Sequence, residues 1–343
     1  MKKVALIGLG MVAGTHVKAI AASDRVQLSG LMGRNLDRAA AFAAEHAPDA
    51  KVYKSVAELA ADPMLDFVIV ATPPDARVDI TRALVDAGKP ILMEKPIERT
   101  LTVAQDIVAM CDEANLPLGM VFQHRMRPAA QELIQLVDEG MLGPIAAVEI
   151  HIPWWRPQSY YDELGRGTYD RDGGGVMLTQ AIHTFNVALR LTGPVQRVQA
   201  MTRTTALHHM EAEDFVVAGL EFASGAVGSL FASTASFPGG TERIALRGAN
   251  GSAILDAAAL TLHWKAGPTE VRGGETSATG GGADPMAFTA NWHQGIIDDF
   301  ADALNERRAP CVTGQEALHV HALINAIEQA SKKAQFTMVE MDA

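Results

Sequence analysis

Glu94-Lys95-Pro96 sets two opposite charges directly behind an apolar run, residues 90–93, and in front of a proline, which ends a strand. Ligands of open α/β sheets bind beyond the carboxyl ends of the strands. Charges at such an end are therefore expected to face a cavity in which a reaction runs. A second chemical signature is Gly8-Leu9-Gly10-Met11-Val12-Ala13-Gly14, which follows an apolar run and opens a helical pattern as GxGxxA with a further glycine. A turn of this kind lets the backbone approach a pyrophosphate and points the free N–H groups of a helix start at its charge. Gly8, Gly10, Met11, Val12 and Ala13 are candidate contacts to a dinucleotide, together with Thr72 and Pro73 at a later strand end and with Glu94 and Lys95.

The choice of dinucleotide is commonly set about 20 residues further on, where an acidic side chain accepts the ribose hydroxyls of NAD. Here the second strand runs into Gly33-Arg34-Asn35 without a carboxylate at its tip. A guanidinium pairs bidentately with phosphate. Arg34 thus favours NADP(H) over NAD(H).

These residues need elements to carry them. Over the first part of the chain, short apolar runs (4–8, 26–31, 67–72, 90–95 and 116–122) alternate with Ala-rich helical ones such as 36–47 and 77–88, the latter closing on Gly88. That alternation predicts parallel strands joined by crossover helices. From about residue 145 the strands become longer and alternating, with turns at Ala223-Ser224-Gly225 and Asn250-Gly251, which predicts an antiparallel or mixed sheet. A glycine-rich loop is expected over 273–284, and Thr313-Gly314-Gln315-Glu316 reads as a capping box for a helix ending near Lys333. At 343 residues, two domains are expected. The fold class is α/β: a dinucleotide-binding domain over 1–122 and an α+β domain with a large, mostly antiparallel sheet over 123–343.

GLGMVAG, VATPPDARVDITRALVDAGKPILMEKP and GGGVMLTQAIHTFNVALRLTG occur in this order. On these stretches the sequence resembles the glucose-fructose oxidoreductase / inositol dehydrogenase / rhizopine-catabolism (Gfo/Idh/MocA) family along nearly its whole length. The resemblance implies an N-terminal Rossmann domain, a second domain whose open sheet face often mediates oligomerisation, and a Lys95 that contacts substrate and nicotinamide. It also points to His183 as the partner acid/base. The chemistry agrees: oxidising a secondary alcohol requires a group that takes the hydroxyl proton, for which a histidine titrates in the right range. A lysine stabilises the charge developing on the oxygen. Two positions depart from the family pattern. Thr179 stands where many members have an acidic residue four positions before the histidine, and Arg77 where a histidine often follows the TP motif.

Between the two halves, Trp154-Trp155-Arg156 and Tyr160-Tyr161 precede Gly165-Arg166-Gly167. Aromatic faces beside polar donors suit a ring with apolar faces and hydroxyl edges. Trp155, Arg156, Tyr161, Arg166, Thr179 and Gln180 are therefore expected to bind substrate with Lys95 and His183, unless the aromatic cluster is buried against a subunit partner. Arg125, Arg127 and Asn186 are candidate flanking groups, while Asp214 and His293 are left outside the site. The segment is similar to family branches acting on sugar nucleotides at C3 and on sugars and cyclitols.

Other classes fall away. A formal charge of -11 without a basic block makes nucleic acid a poor partner. Cys111 and Cys311 form neither a disulfide framework nor a metal-type spacing, and His208-His209 and His319-x-His321 lack companion ligands, so no metal is expected. Three glycines interrupt the apolar stretch after Met1-Lys2-Lys3, against a signal peptide, and no run is long enough for a membrane span. The expectation is a cytoplasmic homo-oligomer, dimer or tetramer, that oxidises or reduces a carbohydrate-like CH–OH group with NAD(P). A non-catalytic dinucleotide sensor of the same fold and a reductase of a non-sugar carbonyl or diol stay open.

Overall fold

The structure is a computed structural model that describes residues 1–274 and 289–341. The expected glycine-rich loop lies, from residue 275 onward, outside the described residues. The chain divides into two compact units, Met1–Gln123 with Ala290–Ala317, and His124–Thr289 with Leu318–Ala343. The helices in chain order are α1 (Ala13–Ala21), α2 (Leu36–His46), α3 (Val56–Ala60), α4 (Arg77–Asp86), α5 (Leu101–Glu113), α6 (Pro128–Asp138), α7 (Gln158–Tyr161), α8 (Ile182–Thr192), α9 (Asn291–Glu306) and α10 (Gly314–Lys333).

In the first unit, β1 (Lys2–Ile7), β2 (Val26–Met32), β3 (Lys51–Val52), β4 (Phe67–Val70), β5 (Ile91–Glu94) and β6 (Leu118–Val121) form a six-stranded sheet in the order β3-β2-β1-β4-β5-β6. Every pairing is parallel. This is the dinucleotide-fold order, with its crevice where the order reverses between β1 and β4. β4 and β5 are buried at every position, so they read as unbroken apolar runs, as strands covered on both faces do. The two-residue β3 has no such run and was invisible to pattern reading.

The second domain, expected unbroken over 123–343, is corrected in one respect. Residues Ala290–Ala317 cluster with the first unit. Its cause is apolar packing: α9 lies against α1, and Phe300 meets Phe67 edge-on at 5.2 Å between ring centroids. The capping box at Thr313 forms as read, with Glu316 N–H donating to Thr313 Oγ1 and Thr313 N–H to Glu316 Oε2, both at 3.1 Å.

The second unit is built on a nine-stranded sheet of β7 (Ile145–Pro153), β8 (Val195–Arg203), β9 (Phe215–Phe222), β10 (Val227–Ser233), β11 (Arg243–Gly248), β12 (Gly251–Asp256), β13 (Ala259–Trp264), β14 (Thr269–Gly273) and β15 (Thr337–Met338). The order is β14-β13-β12-β11-β7-β10-β9-β8-β15, antiparallel throughout except for the parallel pair β7–β10. Both turn-centred hairpins of the sequence, β9–β10 and β11–β12, are present. Burial alternates along β9, so one face packs against helices and the other stays open. Met201, Val217, Phe231, His151 and Arg243 lie directly across from one another on that open face.

Candidate functional site

The glycine turn sits where β1 hands over to α1. Gly8 has φ of +100°, and a Cβ there would lie 2.6 Å from backbone atoms of Ala71 and Thr72, so the turn closes against the end of β4 only without a side chain. Gly10 differs, because a Cβ built on it meets nothing within 4 Å. Packing does not require glycine there. No side chain caps the start of α1, where Ala13 and Thr15 N–H bond back to the Gly10 and Val12 carbonyls, and Met11 is exposed beside it. The Thr72 hydroxyl is buried without a partner, next to an exposed Pro73. Val12 and Ala13 complete the turn as the helix cap and first residue. Arg34 follows β2, exposed and without an ion pair among the described residues. These residues fit a dinucleotide: a backbone cradle that a Cβ would fill, a helix start without a side-chain cap and a hydroxyl unpartnered among the described residues.

At the end of β5 the two charges part company. Successive residues of an extended chain point to opposite sides. Lys95 is half-buried, whereas Glu94 is 6% exposed and turned into the unit. Its Oε1 accepts from His16 Nε2–H at 2.8 Å, with His293 Nε2 3.7 Å away and the two rings edge to face at 5.3 Å. Glu94 is therefore corrected: its carboxylate belongs to an internal cluster and does not face a crevice. Burial works to raise its pKa, yet the hydrogen bond and charge of His16, with His293 and Lys95, outweigh burial and hold it at about 2. Burial pushes His293 down to about 4 against the pull of Glu94. The ligand atoms of this trio lie within 4.8 Å of one another. Two ligands of a tetrahedral zinc stand about 3.3 Å apart, so the 2.8 Å contact is a hydrogen bond. His16, on α1, and His293, on α9, are far from residue 94 in sequence, and no spacing rule joins them.

Arg77, unassigned from sequence, opens α4 at 2% exposure. Its guanidinium donates to the Thr72 carbonyl from Nε at 3.1 Å and Nη2 at 2.7 Å, and from Nη1 to the carbonyls of Glu94 and Pro96. Burial lowers its pKa to about 10 against the charges of Glu94, Glu98 and Asp75, which leaves it cationic at neutral pH.

In the second unit, His183 lies at the start of α8, 6% exposed. Its ring stacks on His124 at 4.8 Å with 29° between planes. Arg127 Nη2–H donates to His124 Nε2 at 2.7 Å, so that nitrogen is an acceptor and the ring proton sits on Nδ1. Arg127 also pairs with Glu242, which accepts from Trp154 Nε1–H at 3.1 Å, and Arg125 Nε–H donates to Asn186 at 2.8 Å. The two arginines are thus buried network members. Directly before His183 the chain is π-helical over Met177–Ala181, a geometry found disproportionately at functional sites. Within that turn the Thr179 hydroxyl bends back onto the Gly175 carbonyl at 2.7 Å. Gln180 keeps its place as a binding candidate: both polar atoms of its amide are buried without a partner among the described residues.

Glu213 holds the start of this segment. Its oxygens accept from Gly175 N–H and Met177 N–H, each at 3.0 Å, and a Cβ on Gly175 would lie 1.7 Å from the Glu213 carbonyl oxygen. The GGG stretch carried that signal, although its partner could not be named.

The aromatic segment is mostly internal. Arg156 is 2% exposed, its guanidinium 5.7 Å from the ring centroids of both Trp154 and Tyr160. The Tyr161 hydroxyl pairs with Thr234 Oγ1 at 2.7 Å, and burial raises its pKa. His208 bridges Asp214 at 2.7 Å and the Arg156 carbonyl at 2.9 Å, with Trp155 packed at 5.7 Å. Arg166 pairs with Glu163 and covers Tyr160 at 4.3 Å. Arg156 and Tyr161 are both buried, and the Arg156 guanidinium donates from Nη1 to the Trp155 carbonyl at 2.8 Å. Trp155, half-buried, and Arg166 retain accessible surface.

Two family models match this chain in order: "Oxidoreductase family, NAD-binding Rossmann fold" over residues 2–122 and "GFO/IDH/MocA C-terminal domain" over residues 130–254. The 1,5-anhydro-D-fructose reductase of Ensifer adhaerens is 28% identical over 351 residues, 99% of this chain and 99% of its own length. The scyllo-inositol 2-dehydrogenase (NADP(+)) of Bacillus subtilis is 24% identical over 361 residues, covering 98% and 95%. Among solved structures, the WlbA dehydrogenase of Bordetella pertussis in complex with NADH and UDP-GlcNAcA has 26% identity and a TM-score of 0.85, over 99% of this chain and 98% of that one. The homologues are NAD(P)-dependent sugar and cyclitol dehydrogenases and reductases, and both dinucleotides occur among them. Among the described residues no helix is long and apolar enough to cross a membrane. A parallel sheet in dinucleotide-fold order, a large mixed sheet after it, and both models matched in sequence place the chain in the Gfo/Idh/MocA family of oxidoreductases.

Proposed function

We propose that this protein is an NAD(P)-dependent oxidoreductase that moves a hydride between nicotinamide and a secondary hydroxyl, or the matching ketone, of a sugar, sugar derivative or cyclitol. The observation that carries the reading is the pair of glycines: Gly8 is demanded by packing, whereas Gly10 leaves room that packing does not use, at an uncapped helix start. The nicotinamide, when bound, accepts or returns the hydride. Lys95 hydrogen-bonds the reacting oxygen and stabilises its developing charge, and His183 takes or returns the hydroxyl proton. Gln180 holds a substrate hydroxyl with its unpartnered amide, with Trp155 and Arg166 as further contacts.

In this reading NADP(H) is the preferred dinucleotide, supported by the exposed Arg34 without an ion pair beyond β2. The open face bearing Met201, Val217 and Phe231 supports assembly as a dimer or tetramer. Cys111 and Cys311, which form no disulfide among the described residues, support a reducing cytoplasm.

The test screens sugars, inositols and sugar nucleotides, including 1,5-anhydro-D-fructose and scyllo-inositol, against NADP(H) and NAD(H). Lys95→Ala and His183→Ala should each lower kcat by at least about a hundredfold while leaving cofactor Kd nearly unchanged. Full turnover in either variant removes that residue from the mechanism, and a lower KM for NAD than for NADP removes the cofactor choice.

A further inference from the structure

We infer that Arg77 is a positioning residue for Lys95, clamping the backbone on both sides of the lysine and tying it to the strand end that lines the dinucleotide crevice. The inference rests on the proposed role of Lys95. Arg77 Nη1 donates to the Glu94 carbonyl, which belongs to the peptide entering Lys95, and to the Pro96 carbonyl just beyond it. The Lys95 N–H is held in turn by Glu94 Oε2 at 3.2 Å, and that carboxylate is anchored by His16. The peptide entering the lysine and the carbonyl of the proline after it are therefore gripped by buried charged side chains. The same guanidinium holds the Thr72 carbonyl through Nε and Nη2, so the position of residue 95 is registered against the Thr72-Pro73 turn.

Burying a guanidinium is costly unless it is paired. Arg77 makes no ion pair among the described residues and spends its donors on carbonyls. Helix packing alone needs none of this, since an apolar side chain would fill the start of α4 without that cost. A rigid frame around the lysine does need it: misplacing a reacting group by about 1 Å costs about a hundredfold in rate.

The experiment compares Arg77→Ala, Arg77→His and Lys95→Ala, using the panel substrate with the highest turnover and NADPH fluorescence for cofactor Kd. Arg77→Ala should lower kcat by about a hundredfold with cofactor Kd within about threefold of the parent, and Arg77→His should recover most of the loss. A purely structural role would lower the melting temperature and the active fraction while leaving kcat per folded molecule intact; that result overturns the inference, as does a kcat within about threefold in a folded Arg77→Ala protein. Should the alanine variant not fold, Arg77→Lys takes its place, since an ammonium cannot bridge the Thr72, Glu94 and Pro96 carbonyls together, and parental kcat in it overturns the inference. Turnover lost in Lys95→Ala but kept in Arg77→Ala sinks only this inference. Turnover kept in Lys95→Ala sinks the catalytic reading, and this inference with it.

Discussion

Replacing Glu213 by Gln removes a carboxyl that burial, reinforced by the charge of Glu328, pushes up from an ordinary 4.5 to about 7, even though backbone N–H groups of Gly175 and Met177 pull the other way. Because the folded value lies above the unfolded one, the folded chain keeps a proton that the unfolded chain gives up between pH 4.5 and 7. The stability contributed by this group is complete below about 4.5 and is lost as pH rises to about 7. At about 1.4 kcal/mol per pH unit the whole loss is about 3 kcal/mol, most of it falling between pH 5 and 8. The assay is urea unfolding of parent and Glu213→Gln over that range. The parent should lose about 3 kcal/mol relative to the variant, whatever constant offset the amide introduces against the backbone donors, because slope and not level is read. Parallel stability curves would refute the reasoning, and would mean that Glu213 is already ionised in the folded state at pH 5. The segment it holds, Gly175 to Met177, leads into the π-turn before His183, so the same titration should loosen hydrogen-exchange protection there.

Further outcomes follow from the first unit. Gly10→Ala should leave the melting temperature unchanged, since the new methyl meets nothing within 4 Å, yet weaken dinucleotide binding by at least about tenfold through loss of backbone contacts to phosphate. Gly8→Ala should instead destabilise the fold by about 3 kcal/mol or more, combining a left-handed backbone with a collision against Ala71, as measured by urea unfolding. His293 responds to pH with the opposite sign to Glu213. Its folded value of about 4 lies below the ordinary 6.5, so its contribution is complete above about 6.5 and falls by about 3 kcal/mol as pH drops to 4, a slope that His293→Phe should flatten.

What could be read from sequence depended on range. The strands ending at Ile7, Val70 and Glu94, the glycine turn and the capping box at Thr313 are local patterns, with an apolar period or a side chain reaching its own backbone three residues away, and each lies where the pattern put it. Family motifs singled out Lys95 and His183, but they could not say what holds either residue. Local patterns failed where partners come from distant chain. The inward turn of Glu94 depends on His16 and His293, which are brought to it by α1 and α9. The return of residues 290–317 to the first unit depends on an apolar face of α9 finding α1. Arg156 and Tyr161 looked like ligand contacts because polar and aromatic side chains carry the same letters whether they serve a substrate or a core. The Tyr161 hydroxyl meets Thr234, 73 residues on, while the Arg156 guanidinium lies beside Trp154 and Tyr160, and only the folded chain, by bringing such groups within reach, decides which use prevails.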